Sequence, residues 1–249
     1  MDGMWKTLIS DLAPSAPKGI LYGAPGIGKT TFASKAEHHI IIDCENGAGA
    51  VACTRTPYLQ NWSEIETWLK MVESDKHEIK VVAIDSLDWL LRRIEEHVSG
   101  CAKDKLDQTL NKSHGGYGNG KQVLKNHIYR VLLPYLDRIV NRGIAVIMLA
   151  HAKRTDITDI DGVTVEKTTA DISDDFLSTF VEWSDFVCLA RIDIDGKRTI
   201  TTSETNRALA KNRYGMPASI PFSWEAFTGA IAVGLESKFS KKEKKNGNA

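Results

Sequence analysis

Eight consecutive residues, Gly23-Ala24-Pro25-Gly26-Ile27-Gly28-Lys29-Thr30, make sense only between a buried strand and a helix. The apolar run 19–22 leads in, and residues 31–36 lead out with helical spacing. That context turns a glycine-rich pattern into a phosphate-binding loop. The glycines permit a tight turn that aims backbone N–H groups inward, and a helix starting near Gly28 adds the positive end of its dipole. Residues 23–31, ending in Thr31, form the expected nucleotide cradle. Lys29 would reach the β- and γ-phosphate oxygens, and the Thr30 hydroxyl would ligate Mg²⁺.

Around the loop, apolar runs alternate with helical stripes, which predicts a mostly parallel α/β sheet flanked by helices. The expected strands are residues 19–22, 40–42, 81–84 and 144–150. Helices are expected over 62–72, 87–98 and 121–140, the last kinked by Pro134. Asp195-Gly196 predicts an antiparallel hairpin near the C-terminus, and Asp161-Gly162, between alternating residues, marks another hairpin turn. Two polar stretches, 100–120 and 152–171, interrupt the rhythm and read as long loops. Residues 1–17 read as an extension, 18–235 as one ATPase-type domain and 236–249 as a basic, disordered tail.

Several polar residues fall at strand ends, the ligand-facing edge of such a sheet. Asp85 closes the third strand and is placed to hold Mg²⁺ opposite Thr30, with Ser86 assisting; the alternative is a helix cap. Glu45 follows the second strand and is the candidate to activate water, with Asp43 as its competitor. His151, after the fourth strand, reads as a γ-phosphate sensor or as a histidine satisfied by backbone. Lys211 and Arg213, two apart on an extended segment, point the same way; they suit either a neighbour's active site or a solvated turn.

Composition narrows the setting. Lys plus Arg and Asp plus Glu are each 32, so the net charge is zero and any nucleic-acid grip must come from a local patch. Four cysteines without a C-x-x-C pair, no apolar leader in residues 1–18 and no apolar run of membrane-spanning length predict a cytoplasmic protein with no membrane contact.

Together the loop, residues 41–45, 81–86 and 149–151, and Lys211-Asn212-Arg213-Tyr214-Gly215-Met216-Pro217 resemble the RecA-like ATPases. The resemblance runs from about residue 18 to 221 and is strongest to the short, core-only bacteriophage members tied to single-strand annealing and recombination. It implies a RecA-like P-loop NTPase core with a C-terminal antiparallel hairpin, ATP and Mg²⁺ as cofactors, and Glu45 as the catalytic carboxylate. It further implies a homo-oligomer, ring or filament, with Lys211 and Arg213 acting in trans, and DNA-binding loops at the two polar stretches. Lys112, Tyr117 and Lys121 in the first, and Lys153 and Arg154 in the second, are then the candidates for single-stranded DNA. The expected function is a DNA-stimulated Mg-ATPase of phage recombination, annealing or replication. The alternatives are a nucleotide-dependent switch that recruits partners such as a single-strand-binding protein, or a helicase-like motor; a small-molecule kinase would need an arginine-rich lid that the sequence lacks.

Overall fold

The computed structural model describes residues 15–100, 109–158 and 161–246, with side chains to 239. Most of the expected N-terminal extension, residues 101–108 of the first polar stretch, and 247–249 of the tail lie outside that description.

The first half alternates strand and helix: β1 (Lys18–Gly23), α1 (Lys29–Ala33), β2 (His39–Asp43), α2 (Trp62–Ser74), β3 (Val81–Asp85) and α3 (Leu87–Ser99). Then α4 (Asn119–His127) passes through a π-helical turn, residues 128–132, into α5 (Leu133–Asn141). Pro134 lies just after this π-turn in a run that stays helical throughout, so the irregularity expected at the proline falls on the turn that precedes it. The second half is β4 (Ala145–Thr158), β5 (Thr164–Ala170), α6 (Asp174–Trp183), β6 (Phe186–Ile192), β7 (Arg198–Thr201), β8 (Lys211–Asn212), β9 (Ser219–Pro221) and α7 (Trp224–Asn246). Helix α7 runs through most of the segment expected to be a disordered tail.

The sheet order is β2-β3-β4-β1-β6-β7-β9, with β2, β3, β4, β1 and β6 all parallel. The C-terminal strands β7 and β8 run antiparallel to β6. Parallel strands covered on both faces must be apolar throughout, which is why β3 is buried at every residue. Alternation sends Ile20, Tyr22, Ile42, Ile84 and Met148 to the face covered by α2–α6. Leu21, Ile41, Ala83, Ile147 and Cys188 go to the other face, against Phe32 of α1 and Phe227 of α7. On that second face Phe32 meets Phe222, Trp224 and Phe227 at centroid distances of 5.2, 5.4 and 5.7 Å.

The fourth strand does not stop at His151 but continues to Thr158, and the hairpin expected around Asp161-Gly162 pairs the second polar stretch from Ala152 opposite Ala170 through Thr158 opposite Thr164. Polar alternation there reflects a hairpin that stands clear of the core, so neither face demands apolar residues. The turn at 161–162 falls where expected.

Candidate active site

Strand β1 ends against β4 and β6, with Gly23 opposite both His151 and Ala190. A Cβ at Gly23 would lie 2.6 Å from the Ala190 carbonyl oxygen, so the loop leaves the sheet only through glycine. Gly28 has φ 105, a left-handed conformation closed to most side chains, and it places Lys29 as the first residue of α1. With five residues α1 is short, so the loop's own N–H groups, more than a helix dipole, make the anion cradle. Arg198 Nη1 and Phe222 Cε1 flank Gly28, each 3.5 Å from the position of a Cβ there.

Lys29 is buried, and its Nζ donates to the carbonyls of Gly23 and Ala24 at 3.0 and 3.2 Å. Burial lowers its pKa, opposed by the charges of Asp85, Glu45 and Asp88. Thr30 Oγ1 donates to Asp85 Oδ2 at 2.7 Å. Burial pushes Asp85 up to about 6, against the opposing bond from Thr30. A hydroxyl and a carboxylate in contact are the hard oxygen donors that Mg²⁺ accepts alongside phosphate and water. Among the described residues no group of three or more His, Cys, Asp or Glu forms a metal cage, and a phosphate-bound Mg²⁺ needs none. The residues present thus fit both ATP phosphates and the ion.

Asp43 and Glu45 differ in their partners. Asp43 is fully buried; its Oδ1 accepts the backbone N–H of Glu45 and Asn46 at 3.3 and 2.7 Å, and Arg55 sits 3.4 Å from Oδ2. It shapes the turn. Glu45 is the residue that faces the site: Ser86 Oγ donates to its Oε2 at 2.9 Å. The Asp85–Ser86 peptide that carries this hydroxyl is cis.

His151 sits inside β4, where the parallel pairing ends and the hairpin begins, with its Nε2 3.5 Å from Glu45 Oε1. Its Nδ1 lies 2.9 Å from Asp88 Oδ2, and its backbone N–H donates to Asp88 Oδ1 at 3.2 Å. Asp88 went unrecognised in the sequence because an acid in the first turn of α3 reads as ordinary helix chemistry. The bond to Asp88 raises the His151 pKa, with burial opposing and Glu45 assisting. Burial pushes Asp88 upward, but its bonds to His151 outweigh that and leave it lowered. The result is a line Asp88–His151–Glu45–Ser86 beside Thr30 and Asp85.

Lys211 and Arg213 are elsewhere. Strand β8 pairs with β6 at Phe186 and Val187, at the end of the sheet away from the loop. From Val187 to Ala190, opposite Gly23, is roughly 10 Å of strand. The two side chains also diverge. Lys211 Nζ donates to the Val181 and Glu182 carbonyls at 2.7 and 3.1 Å, closing α6, whereas Arg213 is 58% exposed and 3.2 Å from Asp185. Neither belongs to the phosphate site of its own chain.

The DNA candidates divide similarly. Tyr117 is fully exposed at φ 54, between Gly116 and Gly118. Lys112 precedes it on a turn, the expected loop placement. Lys121 lies in α4 rather than in a loop and pairs with Asp175 at 3.3 Å. Lys153 is committed to the Ile172 carbonyl at 2.7 Å and to Asp174. Arg154 is exposed opposite Glu166 at 3.3 Å.

A mostly parallel sheet with a phosphate loop after β1, a strand-end acid on β3 and a second carboxylate just past β2 defines a nucleotide-binding ATPase class of protein. A family model described as an AAA domain matches residues 15–214, and the chain belongs to that family. No curated protein matches it. Among solved structures, the RadB recombinase crystal structure aligns at 14% identity over 86% of this chain and 91% of that one, with a TM-score of 0.46. A KaiC-like protein from the hyperthermophilic archaeon Pyrococcus horikoshii OT3 aligns at 15% identity over 84% and 86%, with a TM-score of 0.43.

Proposed function

We propose that this chain is a Mg²⁺-dependent ATPase that acts on single-stranded DNA as a head-to-tail homo-oligomer, in recombination, annealing or replication of the phage type. The observation that carries the ATPase reading is the meeting of Thr30 with Asp85 and of Ser86 with Glu45 at one edge of the sheet. Bound Mg²⁺ would supply charge neutralisation at the phosphate oxygens.

The remaining chemistry belongs to the chain. Lys29 supplies a compact cation at the loop; burial lowers its pKa, and the neighbouring carboxylates oppose that lowering. Glu45 is the general base: Ser86 fixes one carboxylate oxygen, and the other faces His151. A proton taken from water by Glu45 changes the charge that His151 meets at Nε2. Asp88 holds the opposite edge of that ring, so the change is felt along β4. The Arg213 guanidinium, at the far end of the sheet, is the group a neighbouring copy would present.

The test is phosphate release with and without single-stranded DNA, alongside nucleotide binding. Glu45→Ala is expected to keep ATP binding and lose about 10²–10⁴-fold in turnover. Unchanged turnover in that variant would remove the base assignment, and negligible turnover already in the wild type, with ATP bound, would favour a switch. Stimulation by a metabolite, with none by DNA, would point to a kinase.

A further inference from the structure

A cavity of about 490 Å³ opens beside the phosphate loop, within the size range of small-ligand sites. Its floor is Leu189 and Ala208, both in the core on the face away from α1. Four elements wall it: Pro25 from the phosphate loop, Arg154 from β4, Arg191 from β6, and Arg207 from the segment between β7 and β8. That last segment leaves the sheet edge and is pinned over β5. Thr168 N donates to the Arg207 carbonyl at 2.8 Å, Leu209 N to Thr168 O at 3.0 Å, and Tyr22 Oη to Leu209 O at 2.6 Å.

The charges are asymmetric. Among the described residues Arg154 pairs with the exposed Glu166, a pairing that contributes little in water. The side chains of Arg191 and Arg207 have no acidic partner among the described residues. In a chain of zero net charge, three guanidinium groups around an apolar floor form a local anion patch. A planar apolar ring and a phosphate together satisfy both halves of that surface, because guanidinium forks match phosphate oxygens and also stack on rings.

We propose that this cavity holds one nucleotide unit, its base on Leu189 and Ala208 and its phosphate on Arg191 and Arg207. The proposal rests on the single-strand reading above, which supplies the unit as part of a strand; a free mononucleotide carries the same chemistry. Occupancy and ATP would share structure in two places. Pro25 belongs to both walls, and Arg154 lies three residues along β4 from His151, whose ring faces Glu45. Ligands sharing walls are thermodynamically coupled, so each changes the affinity of the other.

The experiment is fluorescence anisotropy of a labelled oligothymidylate across a salt series, on wild type and on the double variant R191A/R207A. Both arginines are exposed, so the fold should survive; a circular dichroism melt checks that. The expected result is at least about tenfold weaker binding in the variant, with the slope of log affinity against log salt reduced by about 1, for the one phosphate no longer held. Binding of a fluorescent ATP analogue should be unchanged in this variant, and lost in Lys29→Ala, which separates failure of the cavity from failure of the phosphate site. Displacement of the strand by free thymidine monophosphate at equal phosphate concentration would support the cavity but assign it a free mononucleotide. Wild-type affinity and salt slope in R191A/R207A, or no binding of either probe by wild type, would overturn the proposal.

Discussion

Asp88 shows how much one acid can arrange. It takes both the backbone N–H and the ring Nδ1 of His151, which leaves Nε2 directed at Glu45. His151 therefore lies between two carboxylates, with Lys29 the opposing cation in its field. Its folded pKa is raised, so the stability it contributes is full below about 6.5, the ordinary value for histidine, and disappears as pH rises through the raised one. Asp88 is lowered, so its contribution is full above about 3.9 and disappears as pH falls through the lowered value. The pair is thus most stabilising from about pH 4 to about 6.5. Asp88→Asn should cost about 1–3 kcal/mol inside that window and less above it, read as urea midpoints across pH. A proton NMR titration should show the His151 ring falling back toward its ordinary value. An unmoved His151 titration would mean that Asp88 does not set the ring's charge. Lys29→Ala belongs to the same scale: it removes the loop's cation and should abolish nucleotide binding, measured by calorimetry, whereas retained affinity would refute the loop assignment.

At the scale of elements, the strands were legible where burial on both faces forced an apolar run, as in Val81–Asp85. The loop was legible because its glycines answer local backbone demands, at Gly23 and Gly28 above all. What escaped the sequence depends on distant partners. The ten-residue helix α6 lies within a stretch of mixed polarity, and α7 continues past its packed residues Phe227 and Ile231 into a lysine-rich segment that reads as tail. The two-residue strand β8 exists only because β6 offers it an edge. The excursion between β7 and β8 has no local signature; Tyr22, far away in sequence, fastens it. The Tyr22 hydroxyl donates to both Thr168 O and Leu209 O from a fully buried ring. Tyr22→Phe strips a donor from two carbonyls while keeping the packing, and is expected to cost about 1–3 kcal/mol in urea unfolding. A neutral substitution would mean that the excursion holds its place without that bond.

At the scale of the whole molecule, the position of Arg213 matters most. The phosphate loop lies at one end of β1, and β8 pairs near the other end of the neighbouring β6. A side chain that far along the sheet does nothing for its own site, yet it lies on the surface a stacked copy could present to the next loop. Lys211 is tied to the end of α6, so its mutation is expected to reduce stability as well as activity; Arg213, whose guanidinium pairs with Asp185 at the surface, is the cleaner probe. In the proposed head-to-tail assembly, closed or open, each active site would join Glu45 of one copy to Arg213 of the next. Arg213→Ala and Glu45→Ala proteins should each be inactive alone. Mixed one to one, roughly a quarter of the junctions would pair an intact Glu45 with an intact Arg213, if copies assemble at random. Phosphate release should therefore recover to about a quarter of the wild-type rate, with a maximum near equal proportions. A mixture that stays inactive at every ratio, although native mass spectrometry shows mixed oligomers, would remove Arg213 from the neighbouring site. Recovery without any oligomer would remove the head-to-tail arrangement itself.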